Sequence, residues 1–279
     1  MAVLIQCDAC GGSVVYDAQR EAARCLFCGS VALSPADLHE PVPHPDVAIP
    51  FEVSEHRAQA AFRRWATSSW WYPKALRELT VELSAIMLPA WRFDADVETH
   101  WAGLRSADTR SGVRPYSGVD TGTARALVPA SMGIAERELA ALGHFDERTT
   151  TDFAPGDDAI PFEMPALSQA GALPIARERL AIEHREAISR REHLQRCRAS
   201  SKVDPTDTRL LMLPVYIGSF RYRDLPWRFV INAQTGRITG KPPLDRLKIA
   251  LVSVAVLAVA ALWWWWSGGD DGWLRAVSF

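Results

Sequence analysis

Charge of one sign is what this sequence most clearly lacks. Its 31 Lys and Arg residues stand against 33 Asp and Glu over 279 residues, a formal net charge of −2, so the chain as a whole has no electrostatic footprint for nucleic acid. Catalytic signatures are scarce as well. Residues 236–242, Gly-Arg-Ile-Thr-Gly-Lys-Pro, faintly resemble a phosphate loop, but they are one residue short between the glycines and end in Pro where Ser or Thr is needed. Ser131 has no nucleophile-elbow glycines around it. His39, His44, His56, His100 and His144 form no ligand spacing, and His184 and His193, nine residues apart on an expected helix, would point about 180° apart. The reading is of a protein that is not an enzyme. Cysteine is sparse too: five residues, with no secretory signal ahead of them, which argues against a disulfide scaffold.

Four of those five cysteines are organised. Cys7-Asp8-Ala9-Cys10-Gly11 and Cys25-Leu26-Phe27-Cys28-Gly29 are two CxxC knuckles with fourteen residues between them, one short of the usual template range. Each CxxC lets two sulfurs grip one ion from a tight turn, and the Gly after each second Cys can take the positive φ that turns backbone N–H groups toward the thiolates. The segment between them holds Val14-Val15-Tyr16 and is long enough for a hairpin. Two disulfides or a CxxC redox pair are the alternatives; the doubled, Gly-followed pattern favours one structural zinc ion (Zn2+) on Cys7, Cys10, Cys25 and Cys28. Cys197 is left as a free thiol on an expected helix. Residues 1–40 carry Arg20 and Arg24 against Asp8, Asp17, Glu21, Asp37 and Glu40, a charge of −3, to which a four-thiolate zinc centre adds about two negative charges. Such a ribbon repels phosphate, so a structural or protein-binding role is favoured over nucleic acid. Leu26 and Phe27 lie between two ligands and cannot both turn inward, so one of them is expected at the surface as a docking residue.

Long apolar runs are absent except for one. Residues 249–266, Ile-Ala-Leu-Val-Ser-Val-Ala-Val-Leu-Ala-Val-Ala-Ala-Leu-Trp-Trp-Trp-Trp, carry no charge, and as a helix they would span about 27 Å of a hydrocarbon core of about 30 Å. The span is taken as 247–266, closed by the aromatic belt Trp263 to Trp266, and its uncharged run is preceded by Arg237, Lys241, Arg246 and Lys248. Asp270 and Asp271 follow it. These flanks predict a single-pass protein of the cell (inner) membrane with its N-terminus in the cytoplasm and a short external tail at 267–279.

Between the ribbon (1–34) and the span the reading is a Pro-rich linker (35–50), with five prolines that make a stiff spacer, and an α+β domain built on an antiparallel sheet (51–243). Ser54 is placed to cap a helix whose Ala58, Ala61, Phe62 and Trp65 share a face. Trp70, Trp71 and Pro73 mark the turn beyond it. Residues 83–101 alternate as a half-buried strand, with Trp91, Phe93, Ala95 and Val97 on one side and Arg92, Asp94, Asp96 and Glu98 on the other. Residues 106–122 read as a polar loop or long hairpin connection, 125–130 as a strand and 135–142 as a short helix. A break follows at 152–158. Residues 173–200 read as one long helix bearing a local charge of +4 between 174 and 202, for which a solvated face, anionic lipid or an acidic partner helix are the readings. A meander closes the domain at 210–222, 227–231 and 237–239, with Gly236 in the left-handed position of its last turn. Ala-Ile-Pro-Phe-Glu occurs at 48–52 and again at 159–163, and Leu-Pro at 88–89 and 213–214, an echo that a duplicated α+β unit would leave.

Taken together, the two CxxCG knuckles, Ala48 to Val53, Trp70 to Leu76, Leu88 to Val97, Leu127 to Ser131 and Phe229 to Pro243 make the chain resemble bacterial zinc-ribbon membrane proteins of the TFIIB-type-ribbon group, labelled primosomal-helicase-like. That label rests on the ribbon alone, since no Walker motif is present here. Some relatives with membrane helices accompany SPFH (flotillin-like) and phage-shock-type envelope-stress proteins, which implies a membrane adaptor with a protein partner. This chain departs from them in its single terminal span and in a shortened stretch at 165–171. Two functions follow: a non-enzymatic, membrane-anchored adaptor that binds a protein at the cytoplasmic face, or a membrane-tethered nucleic-acid-binding protein that uses the +4 helix. Charge favours the first.

Overall fold

The computed structural model describes residues 2–17, 24–36, 45–106, 112–153, 160–223 and 225–266. Along these residues the chain forms β1 (Ala2–Cys7), β2 (Ser13–Asp17), β3 (Leu33–Pro35), β4 (Val47–Ala48), α1 (Glu55–Ala66), β5 (Glu82–Ser106), β6 (Val113–Pro129), α2 (Glu136–Ala141), β7 (Thr151–Asp152), β8 (Phe162–Glu163), α3 (Gln169–Arg191), β9 (Leu194–Tyr222), β10 (Leu225–Asn232), β11 (Ile238–Gly240) and α4 (Arg246–Trp266). The fold is α+β, with one large sheet in the order β11-β10-β9-β5-β8-β2-β1-β3 and with β6, β4 and β7 joined at the side. The expected tail at 267–279, with Asp270 and Asp271, and residues 37–44 of the expected spacer lie outside the described residues.

Local chemistry accounts for the elements that match expectation. Ser54 accepts a hydrogen bond from the Arg57 N–H at 3.4 Å and starts α1, whose Ala58, Ala61 and Phe62 are buried while Phe62 stacks on Phe229 at 4.6 Å between centroids. Trp91, Phe93, Ala95 and Val97 of β5 are all buried and pack with α3 through Ala172, Ala176 and Leu180. Their polar alternates are not simply solvated, because Arg92 is buried as well, in ion pairs with Asp94, Glu147 and Asp207. The meander is β9-β10-β11, and Gly236 sits at φ 78°.

Three expectations are corrected. Residues 113–122 are strand and not loop: β6 pairs antiparallel with β5 from Ala90↔Pro129 to Ser106↔Val113. Gly118, read as a loop residue, pairs with Trp101 within the strand, and its lack of a side chain makes room for the Trp101 indole, which would stand 2.9 Å from a Cβ. The long helix stops at Arg191 and not at 200. His193 turns the chain at φ 51°, and Leu194 begins a 29-residue strand, so Cys197 stands on β9. Leu194 and Cys197 keep helical spacing with Leu173, Ala176, Leu180 and Ala187, but pairing with β5 as far as Arg105↔Leu194 wins over it.

The third correction concerns the ribbon, which is not held apart from the body. β2 pairs with β8 at Val14↔Glu163 and Val15↔Phe162, and β8 lies parallel to β5 at Met87↔Phe162. Cys7, Val14, Tyr16, Cys25 and Phe27 share one core with Ile86, Leu88, Ile134, Leu142 and Val230. The end of the expected linker is itself structured, since β4 runs parallel to β9 and antiparallel to β7. Each echoed segment lies beside one of the two long strands: Ile49 N–H donates to Met212 O on β9 at 3.0 Å, Met87 N–H of β5 donates to Pro161 O at 3.0 Å, and each segment leads to a helix capped by a serine, Ser54 or Ser168.

Candidate metal centre

The two knuckles are built alike. Gly11 N–H donates to Cys7 O at 2.8 Å and Gly29 N–H to Cys25 O at 2.9 Å, and both glycines have positive φ, 77° and 74°, where a side chain would be strained. Cys7 N–H is held by Gly12 O at 3.0 Å and Cys25 N–H by Ser30 O at 2.8 Å, so each turn is closed on both sides. These turns bring the four expected ligands together: the sulfurs of Cys7, Cys10, Cys25 and Cys28 all lie within 4.8 Å of one another. Cys7 Sγ is 3.6 Å from Cys28 Sγ, and Cys10 Sγ is 3.7 Å from Cys25 Sγ. A tetrahedral ion with metal–sulfur bonds of about 2.3 Å needs its sulfurs about 3.8 Å apart. The donor set therefore fits a four-coordinate metal with every position filled by protein.

Titration of the free thiols bears on that capacity. Burial pushes Cys10 up to about 12, helped by the neighbouring Cys25 and Cys28 sulfurs, and burial likewise raises Cys25. Burial opposes ionisation of Cys7 too, yet backbone N–H donors at Cys10 and Ala9 and the thiols of Cys28 and Cys25 bring it down to about 7. Cys7 is therefore readier to ionise than Cys10 or Cys25, and an incoming cation must displace protons from those two.

Behind the second knuckle lies a cradle that sequence reasoning missed. Phe27 is 2% exposed and its ring lies where a Cβ of Gly133 would be. Of the two residues at the knuckle tip, Phe27 is the one that turns inward, while Leu26 is half-buried at the edge of the same core. Arg228 of β10 donates to Phe27 O at 3.0 Å, to Gly133 O at 2.8 Å and to Glu138 at 2.7 Å. Glu163 Oε1 accepts from Met132 N–H and Gly133 N–H, both at 2.9 Å, and so fixes the turn that receives the ring. The signal for Arg228 and Glu163 was present only as a basic and an acidic residue inside otherwise apolar strands.

The remaining sequence candidates are placed singly. Cys197 is partly buried on β9. His184 does not meet His193; its Nδ1 is 2.7 Å from Thr99 Oγ1 and its Nε2 is 3.1 Å from Asp120. Of the +4 segment, Arg179 pairs with Glu136, Arg191 with Asp120 and Glu192, and Lys202 with Asp204.

No family model matches the chain, and no solved structure matches it. It is similar to the uncharacterized protein YdjG of Bacillus subtilis (strain 168), with 23% identity over 234 residues covering 74% of this chain. The chain spans 66% of that relative's length, just under two thirds.

Proposed function

We propose that this protein is a non-enzymatic adaptor held in the cell membrane by α4, with a structural zinc ion on Cys7, Cys10, Cys25 and Cys28, that captures a protein partner at the cytoplasmic face. The partner class is the one the family resemblance implies, SPFH (flotillin-like) or phage-shock-type proteins. One observation carries the capture reading. Along residues 90–106, β5 lies between β6 and β9, and among the described residues no strand pairs with the outer edge of β6 over its 17 residues. Such an edge is a template for an added strand, with main-chain bonds for affinity and alternate side chains for selectivity. Val113, Tyr116 and Val119 stand exposed along it.

Zinc is the ion that four thiolates in a reducing compartment select, and a closed site with no open position suits structure and not catalysis. The membrane reading is supported by α4, 21 residues with a mean hydropathy of 2.2 over its apolar window and none of that window buried. The basic residues before it favour a cytoplasmic N-terminus. Nucleic-acid binding by the +4 segment at 174–202 is disfavoured, because Arg179, Arg191 and Lys202, three of its eight basic residues, are in the ion pairs described above. The echoed segments, each followed by a serine-capped helix and a long strand, support reading the body as two copies of one α+β unit.

The test is capture by the full-length protein in nanodiscs, with and without nuclease, beside the variant Tyr116→Lys/Val119→Lys, since lysines on a sheet edge oppose strand addition. The adaptor reading expects capture that survives nuclease and falls about thirtyfold or more in the variant, the size of one hot spot. Capture lost to nuclease, or indifferent to the variant, contradicts it.

A further inference from the structure

Two large aromatic side chains are exposed on the soluble body where water should disfavour them. Trp70 is 61% and Trp71 is 39% exposed, while Trp65, five residues earlier, packs against Tyr72 and Phe229. The turn carrying them is bonded to the start of α4. Asp245 N–H donates to Trp71 O at 2.9 Å. Lys248 Nζ donates to Trp70 O at 2.7 Å and to Tyr72 O at 2.9 Å, and lies 5.4 Å over the Trp70 ring. The indoles are thereby fixed at the level of residues 245–248, immediately before the uncharged run begins at Ile249.

Aromatic side chains gather at both membrane–water boundaries of a span, where a flat apolar ring with one polar N–H is at home. α4 carries its own tryptophans only at its far end, Trp263 to Trp266. At the near end, the surface around the Trp turn is the one that suits lipid. Leu244 and Leu247 are 51% and 68% exposed, and Lys74, Arg77 and Arg246 are exposed beside the apolar residues in sequence. The pairing register brings the β9–β10 turn, with exposed Arg223 and Leu225, to this same end of the sheet, since β5 starts at Glu82↔Ser219 and β10 at Leu225↔Tyr222.

The geometry points to the Trp70–Trp71 turn as a second membrane contact, inserted among the headgroups of an anionic lipid surface, which seats the body on the bilayer and does not leave it swinging from α4. This inference rests on the reading of α4 as a membrane span. Cations at the rim add attraction for an anionic leaflet, and the indoles supply the aromatic belt that the helix lacks on that side.

Site-specific photo-crosslinking separates the two claims. Benzoylphenylalanine is placed one at a time at Trp71, at Leu257 in the middle of α4 and at Tyr116 on β6, in full-length protein in nanodiscs of phosphatidylcholine and phosphatidylglycerol. Thermal melts confirm that each variant is folded. Lipid adducts at 71 and 257, with none above background at 116, are expected. Adducts at 257 alone overturn the Trp contact and leave the span standing, and equal adducts at 71 and 116 also overturn it. Adducts at neither 71 nor 257 remove the membrane reading on which the inference rests.

Discussion

Glu163 is the residue whose titration matters most outside the thiols. It is fully buried on β8, and one of its carboxylate oxygens, Oε2, has no partner among the described residues. Burial lifts it from an ordinary 4.5 to about 7, against the pull of the Ser131 hydroxyl and the Gly133 and Met132 N–H donors. In the folded chain it keeps its proton up to about pH 7, whereas in the unfolded chain it ionises near pH 4.5. Stability therefore falls as pH rises through that window, by about 3 kcal/mol, and levels off above it. Glu163→Gln keeps an acceptor oxygen for the two amides and removes the charge. Urea unfolding between about pH 5 and pH 8 should show a flatter profile for the variant and a gain in stability over the parent at the alkaline end; an unchanged slope would sink the assignment. Phe27 and Gly133 test the cradle at the same scale. Phe27→Ala should cost about 3–5 kcal/mol and Gly133→Ala about 1–3. The double variant should cost clearly less than the two together, because the alanine methyl fills the space the ring leaves. Additive costs would mean that the ring is not seated there. The ligands themselves were legible, because CxxCG repeats its geometry locally in each knuckle. Phe27 was not, since whether a knuckle tip is buried depends on Gly133 and Arg228, distant in sequence.

Helices and strands divide in the same way. α1 was readable from its cap and face, and β5 from alternation in 91–97, because both signals lie inside one short window. α3 was overextended. Leu194 and Cys197 continue a helical stripe, and nothing local reveals that β5 waits to pair with them. His193 marks the real end at φ 51°, a conformation in which a β-branched side chain is strained. His193→Val should therefore be about 1–2 kcal/mol less stable than His193→Gly in urea unfolding. Near equality of the two would mean that the helix runs on through this position. β6 was hidden for a related reason: Gly118 and Gly122 look like loop punctuation, yet Gly118 is required by the Trp101 ring on the neighbouring strand.

On the scale of the whole molecule, the long strands set the geometry. β5 has its first residue at the end near α4 and runs 25 residues away from it, up to about 80 Å if straight. With α4 spanning a bilayer and the Trp turn seated on it, as proposed above, a free β6 edge would stand well clear of the lipid. The ribbon is part of this body, and the sequence could not show that. The five prolines of 35–50 suggest separation, but the pairing of Val14 with Glu163 and the shared core are contacts between residues far apart in the sequence. The metal is accordingly expected to stabilise the central sheet as well as its own loops, since binding at a site absent from the unfolded chain adds directly to folding. Hydrogen exchange on the full-length protein in nanodiscs, before and after zinc removal by a chelator under reducing conditions, tests this most directly. The account predicts that amides in 2–17 and 24–35 lose protection together with those of 131–134 and 162–164, while 55–66 and 226–232 stay protected. Loss confined to the ribbon would contradict it, as would a protein that carries no zinc before the chelator is added.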